Sequence, residues 1–222
     1  MNTSEKQTTV CLFAHPDDEA FGPGGTIAKL SDSQDVYIIC ATRGEAGGTQ
    51  ENLGEMRTQE LQNSARILGV KEVVFLDYKD GELNNNLYHA ISEDIKIHLD
   101  SIRPETLLTY EPRGVSGHID HIVISMITNF LFEECEYIKK LMFFCHAEDH
   151  MNIVNKYFPH YFIYHPPGYS TSEIDEKVDT SGFYDKHVAA IKCHISQEKD
   201  LKNILPMYEE LPKEECFLVR EK

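Results

Sequence analysis

Apolar residues in this chain gather into short runs separated by polar, turn-rich segments, and two periodicities alternate along it. Residues 9–13, 36–41, 73–76, 106–110 and 141–145 are nearly continuous apolar stretches, the pattern of strands covered on both faces. Between them lie stretches with helical spacing. One starts at 26–30 after Gly22-Pro23-Gly24-Gly25, and another spans 56–68 with Leu61, Ala65 and Leu68 in register and Gly69 as its stop. A third covers 87–102, with Ile91, Ile95 and Leu99 on one face and Pro104 beyond it, and a fourth covers 122–132. Strand and helix alternating with short connections predict an α/β fold, a mainly parallel sheet flanked by helices.

Beyond about residue 150 the rhythm loosens. Short strands are expected at 161–164 and 177–180 around the turn-rich 166–170, then a helix over 184–195, another near Leu201 and a last strand at 216–220. With no linker and no internal repeat, the reading is one domain over 1–222 with a less regular final third.

Two polar clusters interrupt this pattern where predicted strands end. Ala14-His15-Pro16-Asp17-Asp18-Glu19 places one imidazole and three carboxylates directly after the first apolar run. Gly117-His118-Ile119-Asp120-His121 follows the fourth. Ligands of open α/β sheets gather outside the carboxyl ends of the strands, and charge beside a buried strand is costly unless it is paired or binds a metal. Either cluster alone could be a helix cap; two together point to a cation. His15, Asp18 and His121 would supply two nitrogens and a carboxylate, a set that suits a zinc whose fourth position holds water with a pKa near 7. Asp17, beside a ligand, is then the natural general base. His118 would face the developing oxyanion, with Asp120 holding its ring. Attack of water on an amide or ester carbonyl fits this arrangement.

Composition narrows the partners. With 21 basic and 37 acidic side chains the net charge is −16, which argues against nucleic acid or an anionic membrane surface. No apolar run is long enough to insert in a membrane, and the amino terminus lacks signal-peptide character. The six cysteines are scattered without a Cys-x-x-Cys pair and read as core or incidental thiols. A cytoplasmic protein is expected, with self-association left open.

The motifs resemble those of the LmbE-like/PIG-L family of zinc-dependent N-acetylglucosaminyl deacetylases. The resemblance rests on residues 14–19 with Gly22-x-Gly24-Gly25-Thr26, on Thr42-Arg43-Gly44-Glu45-Ala46-Gly47, and on Arg57-x-x-Glu60 leading to Leu68-Gly69-Val70. It continues in Gly117–His121 and in Lys186-x-x-Ala189 through His194-Ile195-Ser196-Gln197. It implies a Rossmann-like three-layer fold, His15, Asp18 and His121 as zinc ligands, Asp17 as base, and His118 as electrostatic partner with Asp120 behind it. It also implies Arg57 and Asp80 on substrate hydroxyls, and an acetylated amino sugar or glycoconjugate as substrate. Two departures stand out. Ile119 replaces the usual proline of the second motif, and Ser116 sits where some relatives carry a tyrosine. A tyrosine at the oxyanion is then either missing or supplied from elsewhere, with Tyr164, Tyr169 and Tyr184 as candidates. His194 and Gln197 are expected to brace a helix. Rival readings are an amidase for another N-acyl molecule (a thiol conjugate or antibiotic precursor) and a non-catalytic metal- or sugar-binding protein. A nucleotide site is disfavoured, because the glycines do not form G-x-G-x-x-G and follow an acidic loop. Specificity is expected in the loops at 43–53, 78–84 and 146–183.

Overall fold

The computed structural model describes residues 6–159 and 166–222; the strand expected at 161–164, Tyr164 and His165 lie outside them. In chain order the elements are β1 Thr8–Phe13, α1 Asp18–Phe21, α2 Gly24–Ser33, β2 Asp35–Thr42, α3 Leu53–Leu68, β3 Glu72–Tyr78, α4 Tyr88–Ile102 and β4 Thr106–Tyr110. There follow α5 Gly114–Gly117, α6 Ile119–Glu134, β5 Lys140–Cys145, α7 Met151–Tyr157, β6 Glu176–Asp179, α8 Tyr184–Ile191, α9 Glu198–Glu210 and β7 Glu214–Glu221. Each expected strand within the described residues is present. The helix expected over 184–195 stops at Ile191 and continues as a separate 3₁₀ turn, Ile195–Gln197. Helix α7 was not foreseen.

The seven strands of the described residues form one sheet in the order β3-β2-β1-β4-β5-β7-β6. β1 to β5 are mutually parallel, while β7 runs antiparallel between β5 and β6. The α/β expectation therefore holds, with an antiparallel edge. Alternate residues of the parallel strands feed two apolar layers: Cys11 and Phe13 join one with Ile27, Leu61 and Phe217, and Val10 and Leu12 join the other with Ile91, Ile124 and Leu131. Helices thus cover both faces, which is why these strands lack polar alternation. Among the described residues no helix is long and apolar enough to cross a membrane.

Strand order reverses at β1, between β2 and β4. The loops leaving the carboxyl ends of β1 and β4 separate there and open a crevice, the place where such sheets bind ligands. Both polar clusters lie on those two loops.

Candidate metal centre and active site

The β1 loop carries His15, Asp17 and Asp18, and the start of α6 carries His118, Asp120 and His121. His15 Nδ1 lies 3.1 Å from His121 Nε2, which is 3.1 Å from Asp18 Oδ1, and Asp18 Oδ2 is 3.8 Å from His15 Nδ1. The other nitrogen of each ring is committed elsewhere. His15 Nε2 faces Asp80 Oδ1 at 3.0 Å and Asp120 Oδ2 at 3.2 Å. His121 Nδ1 donates to the carbonyl of Gly114 at 3.0 Å. These partners fix both tautomers, so two imidazole lone pairs and a carboxylate point at one spot. Three acceptors this close repel unless a proton or a cation lies among them. Donor atoms bound at about 2.0–2.2 Å in a tetrahedron stand about 3.3–3.6 Å apart, and the observed spacings bracket that range. The set therefore fits a divalent cation.

The electrostatics show that the same spot draws positive charge, here as a proton on His15. Burial works against charge on both groups, yet bonds from Asp120 and Asp80 push His15 up to about 10, and His121 and His15 hold the buried Asp18 well below the usual carboxylate range. Asp18 Oδ2 also accepts the backbone N–H groups of Ala14 and His15. Tyr110 steadies the loop from below, its hydroxyl donating to the Asp18 carbonyl at 2.8 Å.

Asp17 adopts a left-handed backbone, φ 119°, a conformation that costs a non-glycine residue of order 1–3 kcal/mol unless its surroundings fix it. They do. Its N–H donates to Glu19 Oε2 at 3.0 Å, and its carbonyl accepts from Ala20 and Phe21. Glu19 is wholly buried and in turn holds Ser64 and, at 2.7 Å, His194 Nε2. His194 thus braces the loop bearing His15, Asp17 and Asp18 across 175 residues of sequence, a finer role than the helix support expected of it. Burial raises Asp17 to about 6, against the pull of Arg57, a value suited to a general base at neutral pH.

Three of the expected residues have partners within the protein that the sequence did not indicate. Arg57, expected at substrate hydroxyls, is buried and donates to Asp17 Oδ2 at 2.8 Å and to the carbonyls of Gly44 and Pro16. Gly44, at φ +68°, permits this, since a Cβ there would lie 2.5 Å from the guanidinium. Asp80, also expected at substrate, uses one oxygen on His15 and the other on the Ala46 N–H at 3.0 Å. Asp120, expected to hold His118, instead places its carboxylate on His15 and on the N–H groups of Gly81 and Leu83, at 2.8 and 3.2 Å. The contact with His118 runs the other way: the Asp120 N–H donates to His118 Nδ1 at 3.2 Å, so His118 caps α6. That bond leaves the proton of the neutral ring on Nε2. Burial and the neighbouring His15 and His121 lower the His118 pKa, which favours its neutral form over the cation.

All eight residues except Asp120 line one cavity of about 380 Å³. Tyr169 and Tyr184 are absent from its described lining; the Tyr169 hydroxyl donates to buried Glu111, and Lys213 lies over the Tyr184 ring. Among the described residues, the tyrosine that lines it is Tyr110. His146 and Asp200 also line it and carried no local sequence signal, and so does Gln197, which was expected to brace a helix.

The class is defined by a mainly parallel α/β sheet with, at its reversal point, a His/Asp cluster that could hold a cation. Residues 10–131 match the family described as PIG-L, GlcNAc-PI de-N-acetylase, and the chain belongs to that family. It is 33% identical over 143 residues to 1D-myo-inositol 2-acetamido-2-deoxy-alpha-D-glucopyranoside deacetylase 3 of Catenulispora acidiphila, covering 50% of this chain and 40% of that protein. It is 36% identical over 125 residues to diacetylchitobiose deacetylase of Thermococcus kodakarensis, covering 53% and 46%. The matches thus span less than half the length of these two relatives. The N,N'-diacetylchitobiose deacetylase from Pyrococcus horikoshii, solved with its inhibitor MPG, superposes with a TM-score of 0.67 at 24% identity over 98% of this chain and 85% of that one. That likeness shows the shared fold.

Proposed function

We propose that the protein is a metal-dependent hydrolase that removes the N-acetyl group from an N-acetylglucosamine-containing or related amino-sugar small molecule, with zinc as its cation. The observation that carries this reading is the convergence of His15, Asp18 and His121 acceptors in the cavity that also holds a buried, braced Asp17. His15, Asp18 and His121 would hold the cation, which when bound supplies Lewis acidity at the carbonyl and its attacking water. Asp17 takes the proton from that water. His118 donates through Nε2–H to the oxyanion of the tetrahedral intermediate. Protonated Asp17 then returns the proton to the departing amine as the C–N bond breaks, leaving acetate and the free amino sugar.

Asp80, Asp120, Arg57, Glu19 and His194 act as positioning residues behind this set. The deacetylase names of the relatives support amino-sugar amides over the rival N-acyl substrates. The test is metal content together with amine release from N-acetylglucosamine derivatives, comparing the protein with His121→Ala. One cation per chain, with turnover lost along with the cation in the variant, is expected. Bound cation with no turnover on any acetylated amino sugar would overturn the substrate class, and no bound cation would overturn the reading itself.

A further inference from the structure

Residues 111–117 carry the chain from β4 into α6 and border the cavity through Val115 and Ser116. Val115 has φ 60° and ψ −50°. Among the described residues five non-glycine residues stand at positive φ, and Val115 is the β-branched one of them. A branched side chain is a true outlier there and stays only where its surroundings hold it. The strain falls on one peptide group, whose two ends are the Gly114 carbonyl and the Val115 N–H. In a planar trans peptide these point in opposite directions. The carbonyl accepts from His121 Nδ1 at 3.0 Å, and the N–H donates to Glu111 Oε1 at 3.1 Å. Glu111 is buried, and its Oε2 accepts from the Arg113 N–H at 2.8 Å, Arg113 Nε at 3.2 Å and the Tyr169 hydroxyl at 2.7 Å. The Tyr169 backbone is in turn bonded to His146 and Glu148 beyond β5. The carboxylate is thus fixed from two parts of the chain and presents Oε1 to the Val115 N–H.

A half-turn of that peptide is the competing arrangement. It rotates the Gly114 ψ and the Val115 φ while the flanking Cα atoms stay in place. Val115 would pass to a φ of about −120°, inside the broad region that branched residues prefer. Gly114, at φ +73°, has no Cβ to oppose the change. Torsional preference therefore favours the turned form, and the bonds to Glu111 and His121 favour the observed one. Once turned, the Val115 N–H would face His121 Nδ1, donor against donor. The His121 proton would then move to Nε2, the nitrogen that a cation needs.

We infer that Glu111 is a positioning residue for His121. By holding the Val115 N–H it keeps the Gly114–Val115 peptide in its strained orientation and the His121 proton on Nδ1, so that Nε2 stays free for a cation. The inference rests on the reading of His121 as a cation ligand, but its readouts do not depend on turnover.

Glu111→Gln is the test. The donors around Oε2 hold the amide oxygen on their side, which turns the NH₂ toward the Val115 N–H. The turned peptide, with its carbonyl accepting from that NH₂, then becomes the better form. Zinc affinity, measured by competition with a chelator, should fall about 10–100-fold, the range for losing a contact that orients a histidine ligand. A crystal structure of the variant should show the Gly114 carbonyl directed away from His121. In Glu111→Gln/Val115→Gly the observed orientation carries no torsional penalty, and about fivefold or more of the lost affinity should return. A purely structural Glu111 would lower Tm and leave zinc affinity unmoved. Unchanged affinity, an unturned peptide in Glu111→Gln, or no recovery in the double variant would overturn the inference. If Glu111→Gln does not fold, Val115→Gly alone decides: it should bind zinc at least as tightly as the natural protein, and weaker binding would overturn the inference. The expected zinc pattern without amine release from any N-acetyl sugar would sink the hydrolase reading and leave Glu111 in this role; amine release with zinc affinity indifferent to Glu111 would do the reverse.

Discussion

Asp120→Asn tests the assignment of that carboxylate to His15, one of the proposed cation ligands. In the protein Asp120 Oδ2 serves both His15 Nε2 and the Gly81 N–H, while Oδ1 serves the Leu83 N–H. An asparagine has one acceptor where the aspartate has two. Set with its oxygen at the Oδ2 position, it keeps His15 and Gly81 but turns an NH₂ toward the Leu83 N–H, leaving a buried donor unsatisfied at a cost of about 1–3 kcal/mol. Set the other way, it faces two donors and drives the His15 proton to Nδ1, where the cation must bind. The first arrangement costs less, so the ring stays in place but loses its charged partner. Such orienting contacts are worth about 10–100-fold in metal affinity. Asp120→Asn should sit near the tenfold end, about 1.4 kcal/mol, because Asp80 still holds His15 Nε2. Asp120→Ala should approach a hundredfold. Competition with a chromophoric chelator for zinc gives both affinities, and thermal melts report the separate stability loss. Unchanged zinc affinity in both variants, with the expected lower Tm, would refute Asp120 as a support for His15 and leave it a loop-capping residue.

Asp17→Asn should retain the cation and lose about 10²- to 10⁴-fold in kcat; near-full turnover in steady-state assays would remove Asp17 as the base. Glu19→Ala frees the Asp17 N–H and strips His194 of its partner, and displacements of about 1 Å can cost roughly a hundredfold in rate. A kcat lowered about 10–100-fold, with zinc stoichiometry preserved, is expected, whereas a change confined to Tm would make the network purely structural. His187 and Glu215 are buried 3.5 Å apart. Burial holds His187 down at about 4 and Glu215 up at about 7, so they do not form an ion pair in the acid range. His187, depressed below its unfolded value, loses stability as pH falls from about 6.5 to 4, by about 3 kcal/mol, whereas Glu215, raised above its own, loses a similar amount as pH rises from about 4.5 to 7. The two oppose each other in the native protein. Chemical denaturation across pH should therefore show Glu215→Gln growing acid-sensitive and His187→Gln weakening toward neutrality; parallel pH profiles in all three proteins would refute this.

The sequence reveals the scaffold because the parallel strands are apolar on both faces. Residues 9–13, 36–41 and 141–145 need no tertiary information to be recognised, and their ends locate both His/Asp clusters. Helix α7 was hidden because its seven residues, with Asn152, Asn155 and Lys156, give too few turns for a periodic signal. The candidate site was legible where its residues are neighbours in sequence. Partnership was not. Whether Asp120 holds His118 or His15 depends on the extended backbone of His118, φ −65° and ψ 129°, which turns its ring onto the Asp120 N–H. The bonds from Asp80 to His15, Arg57 to Asp17 and His194 to Glu19 join residues that the sheet, not the local chain, brings together. Arginine and aspartate at such positions look alike in sequence whether they face substrate or a neighbour, and only burial of the Arg57 guanidinium distinguishes them.

The insertion of β7 between β5 and β6 affects the order in which the protein is made. Helix α2 begins without a side-chain cap of its own, and the N–H groups of Gly25 and Thr26 are met by Glu215 of β7, 190 and 189 residues later. His194, the partner of Glu19, is also late. At roughly 5–20 residues per second, a ribosome needs on the order of ten to forty seconds to pass from Gly25 to Glu215. During that interval β1 to β5 can assemble, but β5 remains an open edge and the loop bearing His15, Asp17 and Asp18 lacks its distant supports. The nascent chain would therefore hold most of its sheet before it holds a competent centre, and chaperone protection of the β5 edge matters most in that window.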